Sequence, residues 1–93
     1  MLFEWDEGNL GHIEQHGITA EEAEEVFRSR PMQTAPYERA GEVRAPVVGR
    51  TASGRVLTVA FTMRGAKVRV VTGWDASRKE RKQYVQYAKN QTV

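Results

Sequence analysis

The stretch from Arg55 to Lys82 leaves the fewest options open, because it carries two alternating apolar runs, a tight turn between them and a helix signal with no spacer. Leu57, Val59, Phe61 and Met63 fall on one face of the first run, and Val68, Val70, Thr72 and Trp74 alternate likewise after Gly65-Ala66. Period-two alternation is the pattern of half-buried strands. Glycine tolerates the positive φ needed at the first central position of a type II′ turn, so Gly65-Ala66 predicts a two-residue hairpin. That turn sets the register: Arg64 against Lys67, Met63 against Val68, Thr62 against Arg69, Phe61 against Val70 and Leu57 against Trp74. The apolar residues then meet on one face, and Arg64, Lys67 and Arg69 collect on the other. Like charges directly across a strand pair repel. That cluster therefore either splays into solvent as an ordinary polar sheet face or receives an anion such as phosphate.

Ser77 and Glu80 have the spacing of a capping box and open a helix predicted to run to about Asn90. Arg81, Tyr84, Val85 and Ala88 make one stripe; Arg78, Lys79, Lys82 and Lys89 lie mainly on the other side. A helix N-terminus attracts anions. Because it follows the basic hairpin directly, its dipole, Arg78, Lys79 and the sheet arginines are expected to converge on one phosphate-sized spot.

Upstream, Leu2 to Trp5 reads as a short edge strand with Phe3 and Trp5 on one side, and Asp6 can cap a helix over Glu7–His16. Gly8 and Gly11 weaken that helix by roughly 1 kcal/mol each relative to alanine, so packing must hold it, with Leu10 and Ile13 as its apolar positions. Gly17 ends it as a left-handed residue. Thr19 and Glu22 form a capping box, Ile18 can staple against Ala23, and Ala23, Val26 and Phe27 make the buried stripe of the next helix, which Pro31 stops. Met32 to Val43 holds Pro36, Gly41 and little periodicity, and reads as a loop or weak edge strand. Ala45 to Thr51 is a third strand, with Pro46 suggesting an edge. The loop Ala52-Ser53-Gly54 then pairs Thr51 with Arg55, Val47 with Val59 and Gly49 with Leu57, and leaves Arg50 on the polar face toward its other end.

Ninety-three residues support one domain with a single core. The net charge of +2 hides a division: residues 1–27 contain eight acidic side chains and no Lys or Arg, while residues 28–93 contain all 14 basic ones. Such asymmetry points to a basic surface for a polyanion, unless the two parts neutralise each other by packing together. The absence of cysteine excludes a disulfide framework and a thiolate site. No apolar run approaches the roughly 20 residues of a membrane span, and the acidic start has the wrong sign for a signal peptide, so a cytosolic protein is expected.

His12 and His16, four apart on one helix, have a spacing that metal sites use, but no third ligand is evident, and the metalloprotease order of residues is not followed. Glycine-rich phosphate loops, serine elbows and paired-carboxylate signatures are missing from the sequence. Trp74, Tyr84 and Tyr87 could stack on nucleobases beside a basic surface. Against that, Trp74 and Tyr84 fall on predicted core stripes.

Taken in order, FEWDEGN at Phe3–Asn9, HGIT at His16–Thr19 with EEAEEVF through Phe27, GR at Gly49-Arg50, GRVLTVAFTMRG at Gly54–Gly65 and RVVTGWDASRKERKQY at Arg69–Tyr84 resemble the BrnT toxin family, a branch of the RelE-like ribonucleases. The resemblance implies one α+β domain over residues 1–93, a small antiparallel sheet with two N-terminal helices and one C-terminal helix around it. It also implies a bacterial type II toxin–antitoxin system in which the toxin cleaves RNA without a metal or other cofactor. The implied partner is a BrnA-like antitoxin with a ribbon-helix-helix part, through which alone the complex would touch operator DNA. In the implied chemistry an RNA 2′-hydroxyl attacks the adjacent phosphate, cations stabilise the developing charge, and a base and an acid move the protons. By position, Arg64, Arg69, Glu80 and His16 are the catalytic candidates, and Arg50, Lys67, Arg78, Lys79 and Arg81 the phosphate-binding ones. Gln15 stands where the family commonly has Lys, and Gly73-Trp74 where it commonly has Ala-Arg. The alternatives are a weakly active or inactive member that binds an antitoxin or nucleic acid, and a general RNA-binding domain.

Overall fold

The computed structural model describes residues 1–91. Its elements run β1 (Leu2–Phe3), α1 (Glu7–Glu14), α2 (Ala20–Arg28), β2 (Met32–Gln33), β3 (Tyr37–Arg39), β4 (Glu42–Arg50), β5 (Val56–Arg64), β6 (Lys67–Asp75) and α3 (Arg78–Gln91). The sheet has the order β1-β6-β5-β4-β2, with β3 pairing β4 as well. All pairs are antiparallel except β1 with β6. This is the predicted α+β architecture, two helices before the main strands and one after.

Three polar caps start the helices. Asp6 accepts from the N–H groups of Gly8 and Asn9, Thr19 and Glu22 close a reciprocal box, and Ser77 and Glu80 close another. Gly17, at φ +72°, turns the chain out of α1. Ile13 of α1, Ile18 and Ala23 and Val26 of α2 pack on Val47, Leu57, Val59 and Val70, so α1 and α2 cover one face of the sheet. Phe3, Phe27 and Phe61 continue this core edge to face, at 5.4 and 5.2 Å between ring centroids.

On the opposite face Val48, Ala76 and Tyr84 form a smaller cluster under α3. Only one stripe of α3 touches the sheet. Tyr84 is buried and Tyr87 and Ala88 half-buried, whereas Val85, predicted on the packed stripe, is 44% exposed. Among the described residues no other helix packs on that face, which is open in this sense, although Thr58 and Ala60 on it are fully buried beneath neighbouring side chains.

The hairpin register holds from Arg64↔Lys67 to Phe61↔Val70 and then slips, because Ala60 faces Thr72 and Val71 is left as an extra residue. This bulge reverses the faces of the last part of β6. Leu57 meets Asp75 rather than Trp74, Gly73 turns inward opposite Val59, and Trp74 lies on the open face opposite Thr58. Trp74 is thus outside the core stripe predicted for it. Gly73 inside and Trp74 outside is the arrangement that fits, since a Cβ at Gly73 would sit 3.2 Å from Ile18 Cδ1.

Met32 to Val43 is more ordered than its pattern suggests: β3 and β4 form a hairpin around Ala40-Gly41, both at positive φ. Strand β4 begins at Glu42, not Ala45, and lies inside the sheet. Pro46 is tolerated there because its hydrogen-bonding side, where its carbonyl accepts from Thr34 N–H at 3.1 Å, faces the break between β2 and β3. The predicted pairs Val47↔Val59 and Gly49↔Leu57 are present.

Gly49 is where α2 comes closest to the sheet: a Cβ there would lie 2.6 Å from Ser29 Oγ and 2.9 Å from the Val26 carbonyl oxygen. Gly49→Ala is therefore expected to destabilise by about 1–3 kcal/mol, since backbone as well as side chain must move. Thermal melting of the variant checks this, with an expected drop of roughly 4–8 °C per kcal/mol; an unchanged midpoint would contradict the packing described.

Candidate functional site

The open face is bounded by α1 on the β6 side and by the β3–β4 hairpin on the other. Helix α1 is held against the β6 edge by Asn9, whose side-chain amide donates to the Glu4 and Val70 carbonyls at 2.9 Å each. Asn9 is buried, and its oxygen also accepts from Asp6 N–H at 2.8 Å. This anchoring places the imidazoles of His12 and His16 along the rim, 6.1 Å apart between ring centroids.

Two concave spaces follow one another along this face. The first, about 230 Å3, lies between Gly8, Asn9 and His12 of α1 and the side chains of Glu42, Arg44, Arg64 and Arg69. The second, about 490 Å3, is lined by His12 and Arg44 again, together with His16, Tyr37, Arg39, Thr72 and Trp74. Shared lining makes them one groove. Strand alternation brings the arginines together: Arg44 of β4, Arg64 of β5 and Arg69 of β6 all point to the side away from α2.

Their charges are partly countered. Arg69 donates from both terminal nitrogens to the Asp6 carboxylate, at 2.8 and 3.3 Å, with Glu4 Oε2 at 3.8 Å. Glu42 bridges Arg44 and Arg64, at 3.4 Å to each. The Glu42 contacts are long, and Arg64 is more than half exposed, so they are worth little against an incoming anion. Arg69 is fixed more firmly. The guanidinium beside Asp6 holds its carboxyl below the usual carboxylate range, helped by the Asn9 and Gly8 N–H groups, and Asp6 in turn raises Arg69.

Of the residues singled out from the sequence, Arg64, Arg69, Lys67 and His16 share this face, Lys67 at its hairpin end. Glu80 reaches it indirectly: its Oε1 accepts from Ser77 N–H at 2.8 Å and from Trp74 Nε1–H at 3.3 Å. The expected convergence of Arg78 and Lys79 with the sheet arginines does not occur. The hairpin tip and the start of α3 are opposite ends of β6, separated by roughly 26 Å of strand. Arg81 lies with them and donates to the Ala76 carbonyl at 3.2 Å. Arg50 is likewise remote, in a separate concavity beside Glu25, Arg28 and Tyr84.

The sequence reading missed Arg44, Tyr37 and Arg39, and gave His12 only a metal-spacing argument. The alternation of Tyr37 with Arg39 and of Glu42 with Arg44 about Ala40-Gly41 was the available signal. Among the described residues no three His, Cys, Asp or Glu side chains are grouped to hold a metal ion, and no helix is long and apolar enough to cross a membrane.

The fold and groove define a small α+β protein with a histidine- and arginine-lined face suited to a polyanion. A family model described as "Ribonuclease toxin, BrnT, of type II toxin-antitoxin system" matches residues 5–80. The chain belongs to that family of ribonuclease toxins, whose systems pair each toxin with an antitoxin. No curated protein matches the chain.

Because the Asp6 carboxyl titrates lower in the folded state than in the unfolded chain, its stabilising effect is complete above the ordinary carboxylate range and lost as pH falls through the lowered value. Asp6→Asn keeps a good cap but cannot titrate. At neutral pH the variant is expected to melt below the parent, and the difference to shrink as pH drops below about 4. Melting midpoints across pH check this; a difference independent of pH would contradict the Arg69 link.

Proposed function

We propose that this chain cleaves single-stranded RNA on the open face, with the phosphate beside Arg44, Arg64 and Arg69 and with proton transfer by the histidines of α1. The observation that carries the reading is the placement of His12 and His16 on the rim of the groove that those arginines line. Imidazole is the side chain that changes charge near neutral pH, and two side by side can serve as base and acid.

In the proposed reaction His16 takes the proton from a ribose 2′-hydroxyl, whose oxygen attacks the neighbouring phosphorus. The bond to the 5′ oxygen breaks, and that oxygen takes a proton from the second imidazole, His12. The products are a 2′,3′-cyclic phosphate and a free 5′-hydroxyl. Arginine donors aimed at the phosphoryl oxygens stabilise the charge that builds up in the transition state. Lys67 extends the cationic surface for the RNA chain, while Arg50, Arg78, Lys79 and Arg81 would meet only more distant phosphates. Glu80 is a weaker candidate for the base, since one oxygen is already committed to Ser77 and Trp74.

The antitoxin, in this reading a BrnA-like protein with a ribbon-helix-helix part, covers the groove in the cytoplasm, and operator DNA is touched only through the complex. Expression of the chain alone is expected to arrest growth, and co-expression of the antitoxin gene to relieve it. Purified protein is expected to cut RNA in chelator and leave cyclic phosphate ends. Arg64→Ala, Arg69→Ala and His16→Ala are each expected to slow cutting by roughly 100-fold. Full cutting by well-folded His16→Ala and Arg69→Ala proteins would overturn the site.

A further inference from the structure

We propose that the Trp74 indole is the floor of a nucleobase subsite, so that the groove grips RNA by one stacked base as well as by its phosphates. The proposal rests on the ribonuclease reading above and adds to it the ligand of a surface to which that reaction assigns no role.

The bulge at Val71 turns Trp74 to the open face, where it is only half-buried. Among the described residues it packs against neither hydrophobic cluster and makes no ring–ring contact. A large apolar ring left outside both clusters forgoes burial that the fold could otherwise have used. Trp5, by contrast, packs on the main core.

The ring is nonetheless held in place. Its only polar atom, Nε1, donates to Glu80 Oε1 at 3.3 Å. Glu80 is fixed in turn by the α3 cap, accepting from Ser77 N–H at 2.8 Å and donating its own N–H to Ser77 Oγ at 3.1 Å. The indole therefore has its orientation before any ligand arrives, with its hydrogen-bonding need met and the exposed part of its ring lining the groove. A preorganised aromatic plate with no free polar atom suits stacking rather than hydrogen-bonded readout.

The surroundings select the kind of ligand. Trp74 lines the concavity of about 490 Å3 with His12, His16, Tyr37, Arg39 and Arg44. An apolar peptide would bring no charge to this cationic, imidazole-rich wall; a nucleotide places its base on the indole and its phosphate toward Arg44 and the histidines. Stacking on one aromatic residue typically contributes enough to change affinity by roughly 5- to 100-fold.

The test uses the full chain and an octanucleotide spanning the site it cuts fastest, with 2′-fluoro groups throughout so that no attack can occur, and the same oligonucleotide made abasic at one position at a time. Binding is measured for the parent, Trp74→Phe and Trp74→Leu. One abasic position is expected to weaken the parent by roughly 5- to 100-fold. Trp74→Leu is expected to lose a similar factor on the intact oligonucleotide and to become indifferent to that position; Trp74→Phe is expected to keep most of the affinity. A merely structural role for Trp74 would not transfer sensitivity from one abasic position in this way. If the parent binds and cuts RNA while Trp74→Leu stays as sensitive as the parent to every abasic position, the subsite is wrong and the ribonuclease site stands. If the parent neither binds nor cuts RNA, the ribonuclease reading fails and this proposal with it.

Discussion

One extra residue in β6 decides what each side of this molecule can do. Before Val71 the strand sends Val68 and Val70 to the helices and Lys67 and Arg69 to the open face; after it, Gly73 faces the helices and Trp74 the groove. A regular strand would have put Thr72, not glycine, opposite Val59 where Ile18 lies close, would have turned the indole inward opposite Leu57, and would have left the groove without it. The bulge thus lets one strand supply both the small residue that the core needs beneath Ile18 and the large one that the groove presents.

A second constraint ties the acidic N-terminal part to the basic remainder. Asp6 caps α1 and binds Arg69, while Arg55 joins Glu22 at 2.9 Å, Asp75 at 3.0 Å and the Gly17 carbonyl at 3.0 Å. Partial burial opposes ionisation of Glu22, yet the Thr19 N–H and Arg55 outweigh it and its carboxyl titrates below its ordinary value. These contacts answer the charge asymmetry in part. Arg55 and Arg69 are countered by acids from the first 27 residues, whereas Lys67, Arg78 and Lys79 form no ion pair with the described residues. Neutralisation and a basic surface coexist because Glu4, Asp6 and Glu22 pair with two arginines that also fix α1 and α2 in place, and Glu24 pairs with Arg28 within α2.

Legibility in the sequence followed the range of the interaction. Caps at Asp6, Thr19 and Ser77, the Gly65-Ala66 turn and the pairing of β4 with β5 depend on residues a few positions apart, and each was readable. The ordered set of motifs likewise identified the family that the match over residues 5–80 shows. The Val71 bulge was hidden because Val68, Val70, Thr72 and Trp74 alternate without a break, and only the demand for space around Ile18 reveals the slip. Tyr37, Arg39 and Arg44 carried only the brief alternation about Ala40-Gly41, which is too short and too polar to separate a hairpin from a loop without the sheet it pairs with. The idea that the start of α3 joins Arg64 and Arg69 failed for a simpler reason: adjacency in sequence across β6 is distance in space.

The most direct measurement of the central claim, that RNA lies along the open face between α1 and the β3–β4 hairpin, is an NMR map of the labelled protein titrated with a non-cleavable single-stranded RNA. Binding in this groove is expected to give the largest shifts at the Trp74 indole N–H, the His12 and His16 rings and the Arg44 and Arg69 side chains. Such binding would be contradicted by a groove that stays silent while Arg50 and the Arg78–Lys79 end of α3 respond.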